Sequence, residues 1–101
     1  MEKYHVYLTE SFEKLFYTLD KSEQQWIDKT KKKLEENPTG QIITYSWFRE
    51  KKYLNKRLYF LIDENTKKIL LISFASKKDQ QNIIDFIKTN MKELMDYLRN
   101  L

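Results

Sequence analysis

The sequence predicts an α+β fold with elements in the order β-α-α-β-β-β-α. Two observations carry that expectation. The hydrophobic repeat is helical over 10–37, becomes strand-like over 41–76, and returns to a helical stripe over 79–99. The three middle runs are joined by short links, which makes them an antiparallel meander. The first strand is added to that sheet after the chain has crossed an N-terminal helical hairpin, and a long C-terminal helix closes the domain. A chain of 101 residues fits one domain, 1–101, with a single core.

Each element has its own signature. "KYHVYLT" (3–9) alternates polar and apolar residues and reads as a strand. In "ESFEKLFYTL" (10–19), Phe12, Leu15, Phe16 and Leu19 share one helical face. A second helix opens at "DKSEQQW", where Ser22 followed by Gln25 has the spacing of a capping box. It turns Trp26, Ile27, Thr30 and Leu34 inward and stops at Asn37-Pro38, ahead of the only glycine, Gly40. Lys31, Lys32 and Lys33 on that helix read as a solvated face.

Three β-rich runs follow: "QIITYSWFREKKY" (41–53), "KRLYFLID" (56–63) and "KKILLISFAS" (67–76). The last two are linked by "DENT", with Asp63 and Asn65 as turn formers. "ILLISF" has the unbroken apolar character of a strand buried on both faces. Over 79–99, Ile83, Ile84, Ile87, Met91, Leu94, Met95 and Leu98 form one stripe, with Asp79 placed as N-cap.

Composition excludes several function classes. There is no cysteine and one histidine, His5, so neither a disulfide framework nor a thiolate or histidine metal cluster is expected, and no cofactor is implied. No run of eighteen apolar residues marks a membrane span, and the N-terminal residues lack an apolar stretch of signal-peptide length. The expectation is a cytoplasmic protein that does not contact a membrane.

The net charge of +4 is unevenly spread. Residues 49–78 hold nine basic and three acidic groups, a net of +6, while the segments on either side are each at −1. Concentration of the whole excess in thirty residues points to a polyanionic partner, nucleic acid before membrane. Strand connectivity says where these charges go. The end of 41–53, with Arg49, Lys51 and Lys52, lies beside the start of 56–63, with Lys56 and Arg57. The end of 67–76, followed by Lys77 and Lys78, lies beside Arg57 as well. Three basic sets therefore converge on one rim of the sheet. Arg57, Tyr59 and Leu61 alternate onto one face.

The combination "RLYFLID…ILLISFASKKDQQ" resembles the RelE/ParE superfamily of toxins from type II toxin–antitoxin systems. The resemblance spans roughly residues 4–84 and rests on an arginine opening a strand, Arg57, and a basic pair after the next strand, Lys77 and Lys78. It implies a RelE-like fold and a ribosome-dependent, metal-independent mRNA endoribonuclease (an mRNA interferase) that inhibits translation. The reaction implied is attack of a ribose 2′-hydroxyl on the adjacent phosphate. Arg57, Lys77, Lys78, Lys51 and Lys52 are the implied catalytic residues, with Arg49, Lys56 and Tyr59 as RNA-binding neighbours. Arg57 would clamp the phosphoryl oxygens, Lys51 or Lys52 would act as base, Lys78 would serve the leaving oxygen, and Tyr59 is a spare proton handler.

The chain departs from the family at two points. RelE-type enzymes often carry tyrosine or histidine several residues after the basic pair, where this chain has Ile83 and Ile84. The second basic residue is commonly arginine, and here it is Lys78, which lacks a bidentate fork. Two other readings follow from the same resemblance: a ParE-like DNA gyrase inhibitor without nuclease activity, and a non-catalytic member that binds RNA or antitoxin. The implied partners are a small acidic antitoxin, in a toxin–antitoxin hetero-oligomer, and mRNA on the ribosome. Trp47 and Phe48 are candidates for stacking on bases, with core or antitoxin-contact roles favoured. Phe86 and Tyr97, off the main stripe of the last helix, are candidate antitoxin contacts or ordinary exposed aromatics, and His5 reads as structural or exposed.

Overall fold

The computed structural model describes residues 3–101. Strand β1 (His5–Leu8) leads into helices α1 (Glu10–Phe16) and α2 (Lys21–Glu36). Strands β2 (Gln41–Ile43), β3 (Tyr45–Tyr53), β4 (Lys56–Asp63) and β5 (Lys68–Ser76) follow, then a 3-10 turn (Lys77–Asp79) and helix α3 (Gln80–Arg99). The five strands form one sheet in the order β1-β5-β4-β3-β2, with β1 parallel to β5 and the remaining pairs antiparallel. The α+β order expected from sequence is observed, with one strand more.

That strand arises inside 41–53, which is two strands rather than one. Thr44 takes a left-handed φ of 62°, and the chain doubles back there so that Gln41 pairs with Glu50 and Ile42 with Arg49. The consequence matters for function: β2 covers only part of β3, so on that side residues 51–53 lie beyond the paired stretch.

Helix starts also differ from the sequence reading. The capping box of α2 belongs to Asp20 and Glu23, not to Ser22 and Gln25: Glu23 N–H donates to Asp20 Oδ1 at 2.8 Å and Asp20 N–H to Glu23 Oε1 at 3.2 Å. An aspartate one turn ahead of a glutamate supplies the same reciprocal bonds. Asp79 holds the N-cap position of α3 as expected, but its side chain makes no capping hydrogen bond; its carboxylate instead accepts from Ser76 Oγ at 3.3 Å across the 3-10 turn. Thr9 caps α1 by accepting from Phe12 N–H at 3.0 Å.

The sheet is buried on both faces, as the apolar run in β5 requires. On one face Leu58, Phe60, Ile62, Ile69, Leu71 and Phe74 pack under α1 and α2, against Phe12, Ile27 and Leu34. On the other, Phe48, Tyr59, Leu61, Leu70 and Ile72 pack under α3, against Ile87, Met95 and Leu98. Met91, expected in the α3 stripe, is exposed instead. Asn90 breaks the helix there (φ −109°, ψ 16°), and its side-chain amide donates to Phe86 O, the carbonyl an unbroken helix would offer to residue 90.

A β-bulge decides which side chains share a face. Tyr59 pairs with Ser73 and the next residue, Phe60, with Leu71, so Ile72 is the extra residue on β5. The insertion reverses the alternation of β5 beyond it, bringing Phe74 to the α1/α2 face and Ala75 opposite Arg57.

Candidate functional site

The register brings the basic segments together at the backbone level. Lys52 pairs with Arg57, and Arg57 with Ala75, so residues from three strands form one row at the rim of the sheet. Lys77 and Lys78 follow two and three residues after Ala75, exposed in the 3-10 turn that starts α3. Among the described residues, none of Lys52, Lys77 and Lys78 has a carboxylate within ion-pair distance.

Arg57 itself is held from below. Its Nε lies 3.5 Å from Glu50 Oε1, and the side chains of the pair are only 13% and 10% exposed. The second carboxylate oxygen of Glu50 accepts from Gln80 Nε2, on the first residue of α3, at 2.9 Å. One buried carboxylate thus ties β3, β4 and the start of α3 together, through a residue two positions after the exposed Lys78. Such an anchor sets the orientation of a guanidinium whose remaining N–H groups have other donor directions to offer. In the sequence Glu50 reads merely as an acidic neighbour within "REKKY"; pairing it with Arg57 needs the cross-strand register.

Strand alternation separates the two base candidates. Lys52 stands on the face of Arg57, whereas Lys51 is paired with Leu58 and turns toward α2. The Lys51 amine is 3.3 Å from Thr39 Oγ1, and burial, then the charge of Lys33, pushes its pKa below the ordinary lysine value. A groove of about 440 Å³ runs along the open edge of β3 and meets both faces, with Lys33, Glu50, Lys51, Lys52 and Arg57 in its lining. Gly40 also lines it, and a Cβ there would come within 2.8 Å of Phe60 Cζ and 3.0 Å of Glu50 O, so only glycine fits without displacement.

Three residues expected to touch RNA are engaged elsewhere. Arg49 donates through Nε to Ser46 O at 2.9 Å and through a terminal nitrogen to Pro38 O at 3.0 Å, bracing the connection into β2. Lys56 pairs with Glu23 at 2.6 Å and lies 5.4 Å from the centre of the Phe74 ring, on the α2 face. Tyr59 does share the Arg57 face, but it is fully buried under α3, and its hydroxyl has no hydrogen-bond partner among the described residues. Burial, reinforced by the charge of Glu50, pushes its pKa up to about 12. Phe48 is likewise core, Trp47 stacks on Tyr45 with ring centres 4.8 Å apart, and His5 is exposed on β1. Phe86 and Tyr97 are exposed on α3. Among the described residues, no group of three or more histidine, aspartate or glutamate side chains is gathered so that it could hold a metal ion, and no helix is long and apolar enough to cross a membrane.

No family model matches the chain, and no curated protein matches it in sequence. Solved structures do. A mutant of the E. coli toxin RelE in the free state superposes with a TM-score of 0.73 at 14% identity, over 86% of this chain and 97% of that one. The toxin–antitoxin complex RelBE of E. coli gives 0.65 at 15% identity, over 72% of this chain and 95% of the matched chain. An archaeal RelE–RelB complex from Pyrococcus horikoshii gives 0.64 at 13%, over 73% and 94%. The chain has a RelE-like fold.

Proposed function

We propose that this protein is the toxin of a type II toxin–antitoxin system and cleaves mRNA on the ribosome. The observation that carries the reading is the row Lys52–Arg57–Ala75, with Lys77 and Lys78 just beyond it: Arg57 is held by buried Glu50, while Lys52, Lys77 and Lys78, from separate segments, have no acidic partner among the described residues. Fold likeness to chains solved as RelE, two of them in complexes with RelB, adds support for a toxin role and for an antitoxin partner. The net charge of +6 over residues 49–78 suits an acidic one.

The chemistry is an in-line displacement. The ribose 2′-hydroxyl gives up its proton and attacks the neighbouring phosphorus; the bond to the 5′ oxygen breaks, leaving a 2′,3′-cyclic phosphate and a 5′-hydroxyl. Negative charge builds on the phosphoryl oxygens, so cations fixed before the reaction stabilise the transition state more than the ground state. Arg57 clamps those oxygens. Lys77 and Lys78 lie toward α3, where Lys78 serves the departing 5′ oxygen. Lys52, on the Arg57 face, receives the 2′ proton.

The test is cleavage mapping in translated mRNA. Cuts within codons on the ribosome are expected, and a single deoxyribose at the cleaved position abolishes them. Replacing both Lys77 and Lys78 with alanine lowers the cleavage rate by about 10²-fold while the unfolding midpoint stays in place. No cleavage, combined with inhibition of gyrase-catalysed supercoiling, moves the reading to a ParE-like inhibitor.

A further inference from the structure

A second set of cations lies on the opposite face of the same edge, where the sequence suggests only a solvated lysine run. The groove along β3 is walled by α2, which contributes Trp26, Thr30 and Lys33 to its lining. Lys33 borders a second hollow as well, shared with Lys32, Thr39, Lys51 and Glu36, whose carboxylate is turned to Lys3. Lys33 and Lys51 therefore face one another across the gap between the C-terminal half of α2 and the uncovered end of β3.

Nothing in the described structure neutralises them. The acids nearest by element are committed elsewhere: Glu36 pairs with Lys3 at 3.0 Å, Glu23 with Lys56, and Glu50 with Arg57 and Gln80. Lys51 has only the Thr39 hydroxyl, and burial together with the Lys33 charge disfavours its protonated form. Two ammonium groups held together without a counterion repel each other, and an anion between them reverses the sign of that interaction. An anion seated there is a different one from the phosphate clamped by Arg57, because Lys51 and Arg57 belong to opposite faces of the sheet. A ligand that fills both places carries regularly repeated anions along a flexible chain.

We propose that Lys33 and Lys51 form a second phosphate subsite, which holds a phosphodiester next to the one at Arg57 on a single-stranded polynucleotide running along the β3 edge. A polynucleotide fits better than an acidic protein segment, because the groove offers little to an apolar side chain. Trp26, the only large apolar residue in its lining among the described residues, already packs on Tyr53 and Phe74, with ring centres 4.9 and 5.9 Å away. The subsite needs no strand cleavage, so it stands or falls separately from the nuclease reading.

The experiment is fluorescence anisotropy of a labelled, uncleavable 2′-O-methyl oligoribonucleotide with the full chain, over a range of salt concentrations. Each phosphate contact contributes ~0.7 to the slope of log affinity against log salt. Lys33→Ala and Lys51→Met, the latter keeping the apolar stem, should each lower the slope, and the double variant should lower it by about that amount, since both lysines serve one phosphate. Lys21→Ala, at the far end of α2, should leave it unchanged, and circular dichroism melting checks that every variant is folded. The subsite is overturned if Lys33→Ala and Lys51→Met leave the slope intact, if Lys21→Ala lowers it equally, or if the intact chain does not bind the oligonucleotide. Equal binding of polyglutamate, with the same dependence on Lys33, overturns it in favour of an acidic protein ligand. Normal slopes in a chain that cuts no mRNA leave the subsite standing and remove only the nuclease.

Discussion

The two ends of the β4–β5 pair carry similar charges and treat them in opposite ways. At the hairpin end, Asp63 is buried, accepts from Thr66 Oγ1 at 2.6 Å and lies 3.5 Å from Arg99 Nε. Lys68 donates to the carbonyl of Arg99 at 3.0 Å, meeting a backbone oxygen at the C-terminus of α3. Those cations are used up in holding α3 onto the sheet. At the other end, Arg57 has a buried partner, but Lys52, Lys77 and Lys78 have no acidic partner among the described residues. Satisfied charge at one end reads as architecture, and converged but unsatisfied charge at the other reads as a binding site. Mutation should therefore separate stability from activity along the length of one strand pair.

The largest effect is expected at the junction of the two roles. Arg57→Ala should lower cleavage by about 10²–10³-fold. It should also cost ~3–5 kcal/mol in urea denaturation, because it strands the Glu50 carboxylate in the interior. The double variant Arg57→Ala/Glu50→Ala sharpens the point: it should regain most of that stability and none of the cleavage. If the double variant stays as unstable as the single one, the pair is not what makes Arg57 costly to remove.

Next comes the hairpin end. Asp63→Ala should lose about 1–2 kcal/mol from its hydrogen bonds with Thr66 and Arg99, read as a lower urea midpoint, with cleavage unaffected. A loss of cleavage at full stability would erase the distinction between the two ends.

The smallest effect concerns Tyr59, which sits between them. Its folded pKa, pushed up to about 12, lies above the unfolded value near 10. The unfolded chain therefore gives up this proton first, and the stability linked to it is whole below about pH 10 and is lost as pH rises toward 12. Tyr59→Phe should flatten that alkaline decline and, by removing an unpartnered buried hydroxyl, stabilise the protein by about 1 kcal/mol at neutral pH. Urea titrations across the alkaline range measure both.

Much of this molecule is legible along the chain. Phe12 and Leu34 on their helical faces, the doubly buried run in β5, and the break at Asn37-Pro38 all follow from periodicity and turn chemistry, which act over a few residues. Concentration of positive charge in 49–78 is likewise a matter of counting, and antiparallel connectivity is enough to aim its segments at one rim. Other features depend on which residue faces which across strands. The reversal at Thr44, the bulge at Ile72, the assignment of Lys51 and Lys52 to opposite faces, and the burial of Glu50 against Arg57 and Gln80 are all of this kind. A one-residue change of register sends every side chain beyond it to the other face, and local sequence carries no record of that choice. The chain order thus determined the elements and the end of the sheet where the cations gather. Only tertiary pairing decided which of them are satisfied and which are left for a ligand.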